Sequence, residues 1–221
     1  MKRLLCLVLL LISQPLFAQD AVTVVEDSLF SQGVQAQMKF MVVLPKSYYR
    51  TYERYTTIYL LHGFGGNQTD WIKYSGLVKY AAAHNFIIVT PDGKNSWYTN
   101  SFDKKHYEDY IINDLIPQVE KTYRTLSTRH GRVVAGLSMG GYGAIKLALK
   151  YPGRFIVAGS FSGALYVPVG SRPDNKDISE SLKATFGQEK SAQWTKNDPF
   201  LLLDSVKNVS ALPYLYVATG K

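Results

Sequence analysis

Six stretches of the chain are apolar runs that close on glycine or proline. They are QAQMKFMVVLP (35–45), TTIYLLHG (56–63), FIIVTPDG (86–93), GRVVAGLS (131–138), RFIVAGSFSG (154–163) and LPYLYVATG (212–220). The first alternates before it turns apolar; the others run with little alternation, which suits strands buried on both faces. Between them lie four periodic segments that predict helices: DWIKYSGLVKYAAAHN, DYIINDLIPQVEKTY, GYGAIKLALKYP and DISESLKATFG. Asn85 and Gly187 read as helix stops, and Pro152 follows the third segment. NDPF predicts a turn or helix start capped by Asp198. Strands that alternate with helices predict an α/β fold, a parallel sheet with helices on both faces. No internal repeat or low-complexity linker interrupts the pattern, and 221 residues are most simply one domain with a substantial core.

The N-terminus departs from this rhythm. MKRLLCLVLLLISQPLFAQD carries Lys2 and Arg3, then the apolar stretch Leu4 to Ile12, then the small Ala18 before Gln19. That order predicts a signal peptide over 1–18, cleaved after Ala18, and a mature domain over 19–221. The apolar stretch is too short for a comfortable membrane span. The single cysteine, Cys6, lies inside this segment, so the exported chain is expected to hold no disulfide, which fits a secreted or periplasmic protein. The formal charge is +8, or +6 without Lys2 and Arg3. Basic residues are scattered, and Lys104–Lys105 is the one adjacent pair after the leader. Nucleic acid is therefore not an expected partner.

Candidate chemistry sits at GLSMG (136–140). A bare G-x-S-x-G is a weak signal, and a serine–glycine turn chosen for tight packing would look the same. Here it follows a predicted strand and opens a predicted helix, which is what a nucleophile elbow requires. Gly136 and Gly140 leave room for a tight turn with Ser138 at its apex. The new helix aims its free N–H groups at that apex, and the Met139 N–H is placed to stabilise an oxyanion. A second donor is expected from the glycine-rich turn HGFGG (62–66), where the Phe64 N–H is best placed.

The stretches YLLHGFGGNQTDW, VTPDGKNSWYTNS, YEDYIINDLIPQVEKTYR, VVAGLSMGGYGAIKLAL and SFSGAL together resemble the putative esterase (esterase D-like) family of α/β hydrolases. The resemblance is nearest to its tributyrin, feruloyl and acetylxylan esterase branch. It spans most of residues 40–165 and continues more loosely through NDPFLLLDSV. It implies an α/β-hydrolase fold and a serine esterase that works through an acyl-enzyme with no metal or cofactor. By position, Ser138 is the nucleophile and the Phe64 and Met139 amides form the oxyanion hole. Trp97 and Tyr98, after a strand at the same edge, either line the substrate pocket or pack locally. Tyr48, Tyr49, Tyr52 and Tyr55 offer a sugar-stacking face or, more simply, packing at a sheet edge. The polar VGSRPDNKD leaves no long apolar lid, so short acyl esters, free or carried on polysaccharide, are the expected substrates.

The base and the acid do not fit so easily. All four histidines, His62, His84, His106 and His130, precede Ser138. The family order is serine, acid, histidine. His84 and His130 precede their strands and lie at the wrong edge; His62 belongs to the oxyanion turn; His106 lies in a polar loop on the active side. Asp174, Asp177, Asp198 and Asp204 follow the serine but precede LPYLYVATG, whereas the family's acid follows that strand. The resemblance thus implies a C-terminally incomplete domain, short of its acid, its histidine, and its last strand and helix. Two further readings stay open: a non-catalytic protein that binds carbohydrate or acyl esters, and an acyltransferase of the same family.

Overall fold

The computed structural model describes residues 22–166, 175–187 and 191–220. The expected leader, 1–18, lies outside these residues, as does most of VGSRPDNKD. The chain opens with β1 (Thr23–Ser31) and β2 (Ala36–Leu44), followed by β3 (Thr56–Leu61), α1 (Asp70–Lys73), α2 (Leu77–Ala81) and β4 (Phe86–Pro91). A long helix then runs from α3 (Tyr107–Asp109) through a π-helical stretch (Tyr110–Leu115) into α4 (Ile116–Thr122). After it come β5 (Arg132–Leu137), α5 (Met139–Lys150), β6 (Val157–Phe161) and α6 (Lys176–Phe186). The described chain closes with α7 (Ala192–Thr195), α8 (Pro199–Asp204) and β7 (Tyr214–Ala218).

The seven strands form one sheet in the order β1-β2-β4-β3-β5-β6-β7. Strands β3 to β7 pair in parallel, while β2 runs antiparallel to both β1 and β4. Their side chains alternate between two cores. Val42, Tyr59, Leu61, Val89, Val134 and Ala158 pack in the larger core with the helices from Tyr110 to Val119 and with α5. Val43, Leu60, Ile88 and Ala135 pack in the smaller one with Trp71, Ile72, Leu77 and Ala81. The predicted α/β sheet with helices on both faces is what forms.

The short α7 was not anticipated, and β1 and the first helical segment differ from the sequence reading. β1, which the apolar runs do not reveal, is an edge strand with TVVEDSLFS alternating toward solvent, and only Leu29 and Ser31 in it are buried. The single helix expected over DWIKYSGLVKYAAAHN is two short ones, α1 and α2. Ser75 lies at the break: its hydroxyl donates to the Trp71 carbonyl and accepts from the Leu77 N–H at 3.1 Å, substituting for helical bonds. The cap expected at NDPF forms, with Asp198 accepting from the Phe200 and Leu201 amides at the start of α8. Among the described residues no helix is long and apolar enough to cross a membrane.

Candidate active site

Ser138 stands alone between β5 and α5 with φ +53° and ψ −113°. That backbone region costs a non-glycine residue roughly 1–3 kcal/mol and persists only where the surroundings hold it. The Ser138 N–H donates to the Phe161 carbonyl at 3.0 Å, and the Ser138 carbonyl accepts from the Tyr142 and Ala164 amides at 3.0 and 3.1 Å. A Cβ on Gly136 would lie 2.4 Å from the Gly140 carbonyl, and one on Gly140 would lie 2.3 Å from the Leu61 carbonyl oxygen. The two glycines therefore let strand, elbow and helix close on one another. Met139, buried, begins the twelve-residue α5, whose first-turn N–H groups have no acceptor one turn back. No described residue hydrogen-bonds the Ser138 hydroxyl.

The turn after β3 lies directly against this serine. A Cβ on Gly63 would be 3.7 Å from the Ser138 Cβ. The turn closes through the Gly66 N–H to the Gly63 carbonyl at 3.1 Å, with Gly65 at φ +79° and its N–H donated to Asn95 Oδ1 at 2.7 Å. His62 anchors it. Its Nε2 accepts from the Gly93 N–H at 2.8 Å, so its proton sits on Nδ1, which donates to the Gly63 carbonyl at 2.8 Å. Burial pushes the His62 pKa below its usual value, against the Gly63 bond and the Asp92 carboxylate. A neutral imidazole with both nitrogens engaged is a structural pin rather than a base. No described residue accepts from the Phe64 N–H, while its ring packs against that of Trp97 at 6.0 Å.

Trp97 and Tyr98 meet the site from behind. Both are buried and both have positive φ, +55° and +49°. Trp97 Nε1 donates to Ser181 Oγ on α6 at 2.8 Å, and the Tyr98 hydroxyl donates to the His62 carbonyl at 3.0 Å. Trp97 thus reaches the site through the Phe64 ring, and Tyr98 reaches it through His62. Sequence reasoning missed Asn95, which pins the turn; a lone asparagine in a polar loop carries no signal for that role.

The remaining histidines lie away from Ser138. His84 precedes β4 and stacks on Phe86, and His130 lies in the 3₁₀ turn before β5. The six residues of β5 put roughly 20 Å between His130 and the elbow. The His106 N–H donates to the Gly33 carbonyl in the β1–β2 turn, and its ring faces Asp109 at 3.3 Å. Because β3, β4 and β2 follow β5 in the sheet, about 14 Å of sheet separates that turn from the elbow. Of the acids after Ser138, Asp198 caps α8, Asp177 lies in the first turn of α6 and Asp204 ends α8; Asp174 lies outside the described residues. No described histidine–carboxylate pair faces the serine.

Comparison with known proteins agrees with this fold. Residues 31–220 match the model of the family described as "Putative esterase". Over 129 residues the chain is 40% identical to an esterase of Mycobacterium tuberculosis, a match that covers 55% of this chain and 28% of that protein. An acetyl esterase of Caldicellulosiruptor saccharolyticus is 30% identical over 176 residues, covering 76% of this chain and 66% of the relative. The chain therefore spans less than a third of the mycobacterial esterase and about two thirds of the acetyl esterase. Among solved structures, the fluorophosphonate-binding serine hydrolase F of Staphylococcus aureus, determined with substrate bound, superposes with a TM-score of 0.79 at 27% identity, over 91% of this chain and 80% of that one. With an elbow serine on a mostly parallel sheet and a family match over residues 31–220, the chain belongs to the putative-esterase family of α/β hydrolases.

Proposed function

We propose that the protein is a secreted or periplasmic serine esterase that hydrolyses short-chain carboxylic esters through an acyl-enzyme on Ser138. The observation that carries the reading is the strained elbow with the Gly63–Phe64 turn against it. In the reaction the Ser138 hydroxyl oxygen attacks the ester carbonyl as its proton passes to a base. The oxyanion that forms takes hydrogen bonds from the Phe64 and Met139 amides. Collapse expels the alcohol with that proton, and water then releases the acid from the acyl-serine by the same steps in reverse roles. No metal or cofactor enters.

None of the four histidines is placed to be the base. We therefore infer that the base and its orienting carboxylate lie outside these 221 residues, and sequencing the coding frame past Lys221 tests that directly. The name of the acetyl esterase relative supports a short acyl group, and the expected leader over 1–18 supports export. Esters of ferulate or of polysaccharide hydroxyls are the natural extension, since one relative is named an endo-1,4-beta-xylanase/feruloyl esterase. The absence of a described histidine at Ser138 favours one second reading, a non-catalytic ester-binding protein.

A fluorophosphonate probe separates the two. In the complete protein it is expected to label Ser138, and Ser138→Ala is expected to abolish labelling and lower kcat on p-nitrophenyl acetate by roughly 10⁴ to 10⁶. Labelling that survives the substitution overturns the assignment.

A further inference from the structure

Lys146 lies in the middle of α5, two turns beyond Ser138, and is fully buried. Apart from the C-terminal Lys150, the other side chains of α5 are uncharged, and an apolar residue would fill the same space without the cost of burying an ammonium. What the ammonium adds is direction. Its three N–H groups donate to the Tyr98 carbonyl at 2.6 Å, Thr99 Oγ1 at 2.9 Å and Glu108 Oε2 at 2.8 Å. Glu108, also buried, accepts in addition from Lys150 at 2.7 Å and from the Tyr151 hydroxyl at 2.7 Å.

The segment so held is the strained one. Trp97 and Tyr98 are successive residues in the left-handed region, neither of them glycine. Local bonds support them, from Thr99 Oγ1 to the Trp97 carbonyl at 2.8 Å and from the Tyr98 N–H to Ser96 Oγ at 3.1 Å. Lys146 adds the bond that ties them to the elbow helix. In this conformation the Tyr98 ring fills a slot between α5 and the loop after β4. A Cβ on Gly143 would lie 2.6 Å from the ring and one on Gly93 2.2 Å from it. The hydroxyl at the end of that ring reaches the His62 carbonyl, and His62 sets Gly63.

We propose that Lys146 is a positioning residue that couples the two halves of the oxyanion hole, holding the Phe64 turn in register with the Met139 amide through Tyr98 and His62. This rests on the esterase reading above. The two N–H groups belong to different elements, and such donors stabilise an oxyanion only when both meet one point at about 2.7–3.1 Å. Loss of the coupling lowers transition-state stabilisation and leaves substrate binding nearly unchanged.

The test uses the complete protein with p-nitrophenyl acetate. Tyr98→Phe removes one hydroxyl and keeps the ring; Lys146→Met removes the ammonium and keeps the length. Each is expected to lower kcat by between about tenfold and 100-fold with KM within about twofold, the size of effect a sub-ångström displacement gives. The fluorophosphonate labelling rate at Ser138 is expected to fall in parallel. Because the two residues act on one path, the double variant is expected to be no slower than Lys146→Met alone. A Lys146→Met protein that melts cooperatively and keeps kcat within twofold of wild type overturns the proposal, as do losses that multiply in the double variant. If Lys146→Met does not fold, Tyr98→Phe decides: unchanged kcat overturns the coupling. Failure of the esterase reading looks different, because the wild-type protein then takes no label at Ser138, and the proposal falls with it.

Discussion

At the scale of single residues, Gly140 fixes how closely the walls of the site approach. An added methyl would stand 2.3 Å from the Leu61 carbonyl oxygen and 2.7 Å from that of His62, both backbone atoms that cannot swing aside. In the complete protein Gly140→Ala is expected to part elbow and turn and to lower kcat on p-nitrophenyl acetate about 100-fold, with a lower melting temperature and little change in KM. His62 gives a second expectation. As a pin, its replacement by glutamine should slow the reaction yet leave the acid limb of the kcat/KM profile where it was; disappearance of that limb would make His62 the base. GLSMG and HGFGG were readable because glycine spacing at a strand end leaves few conformations. Nothing in SWYT announced two left-handed residues, since only their neighbours settle whether a Trp–Tyr pair lines a pocket or supports one. Lys146 was invisible for a related reason: in GYGAIKLALK it reads as a polar helix position, and its partner Glu108 lies 38 residues earlier.

At the scale of elements, the Glu108–Lys146–Lys150 cluster ties α3 to α5. Burial alone would push the Glu108 carboxyl up, but the two ammonium groups and their hydrogen bonds outweigh it and hold the pKa at about 2, below its ordinary 4.5. Burial pushes Lys146 down to about 8, with Glu108 opposing. For Glu108 the unfolded chain binds the proton more readily than the native one. Its stabilisation is therefore complete above about pH 4.5 and is lost as the pH falls toward 2. Glu108→Gln should flatten acid unfolding over that interval and, by stranding the buried Lys146 ammonium and weakening the hold on the half-buried Lys150, should cost about 3–5 kcal/mol at pH 7. Urea titrations at several pH values measure both. The helix over 107–122 was legible from the periodicity of 109–123, whereas β1 was not. An edge strand needs only one covered face, and its polar alternation resembles a loop.

At the scale of the whole molecule, six of the seven strands were readable as apolar runs, but their order was not. The sequence β4-β3-β5 depends on which side each crossover takes, and run composition does not encode that. The register also sets Leu137, Phe161 and Tyr216 on the face of the sheet that holds Ala135, beyond the cover of α1 and α2. Tyr214 extends that patch and is 69% exposed. The 221-residue chain is expected to bind a hydrophobic dye and to sediment as oligomers, and Tyr214→Ser with Tyr216→Ser should reduce both. A row of aromatic residues behind the site is packed ring on ring, and it gives the molecule its own optical probe. The chain has three tryptophans. Trp71 Nε1 donates to the Leu61 carbonyl at the end of β3, Trp97 packs on Phe64, and Trp194 ends the row that continues through Tyr142 and Phe186. The emission of Trp71 and Trp97 therefore reads out the neighbourhood of Ser138. In a stopped-flow mixing of the complete protein with p-nitrophenyl ester, emission should change once at the rate of the p-nitrophenol burst and return as the acyl group leaves, with no dye or tag attached.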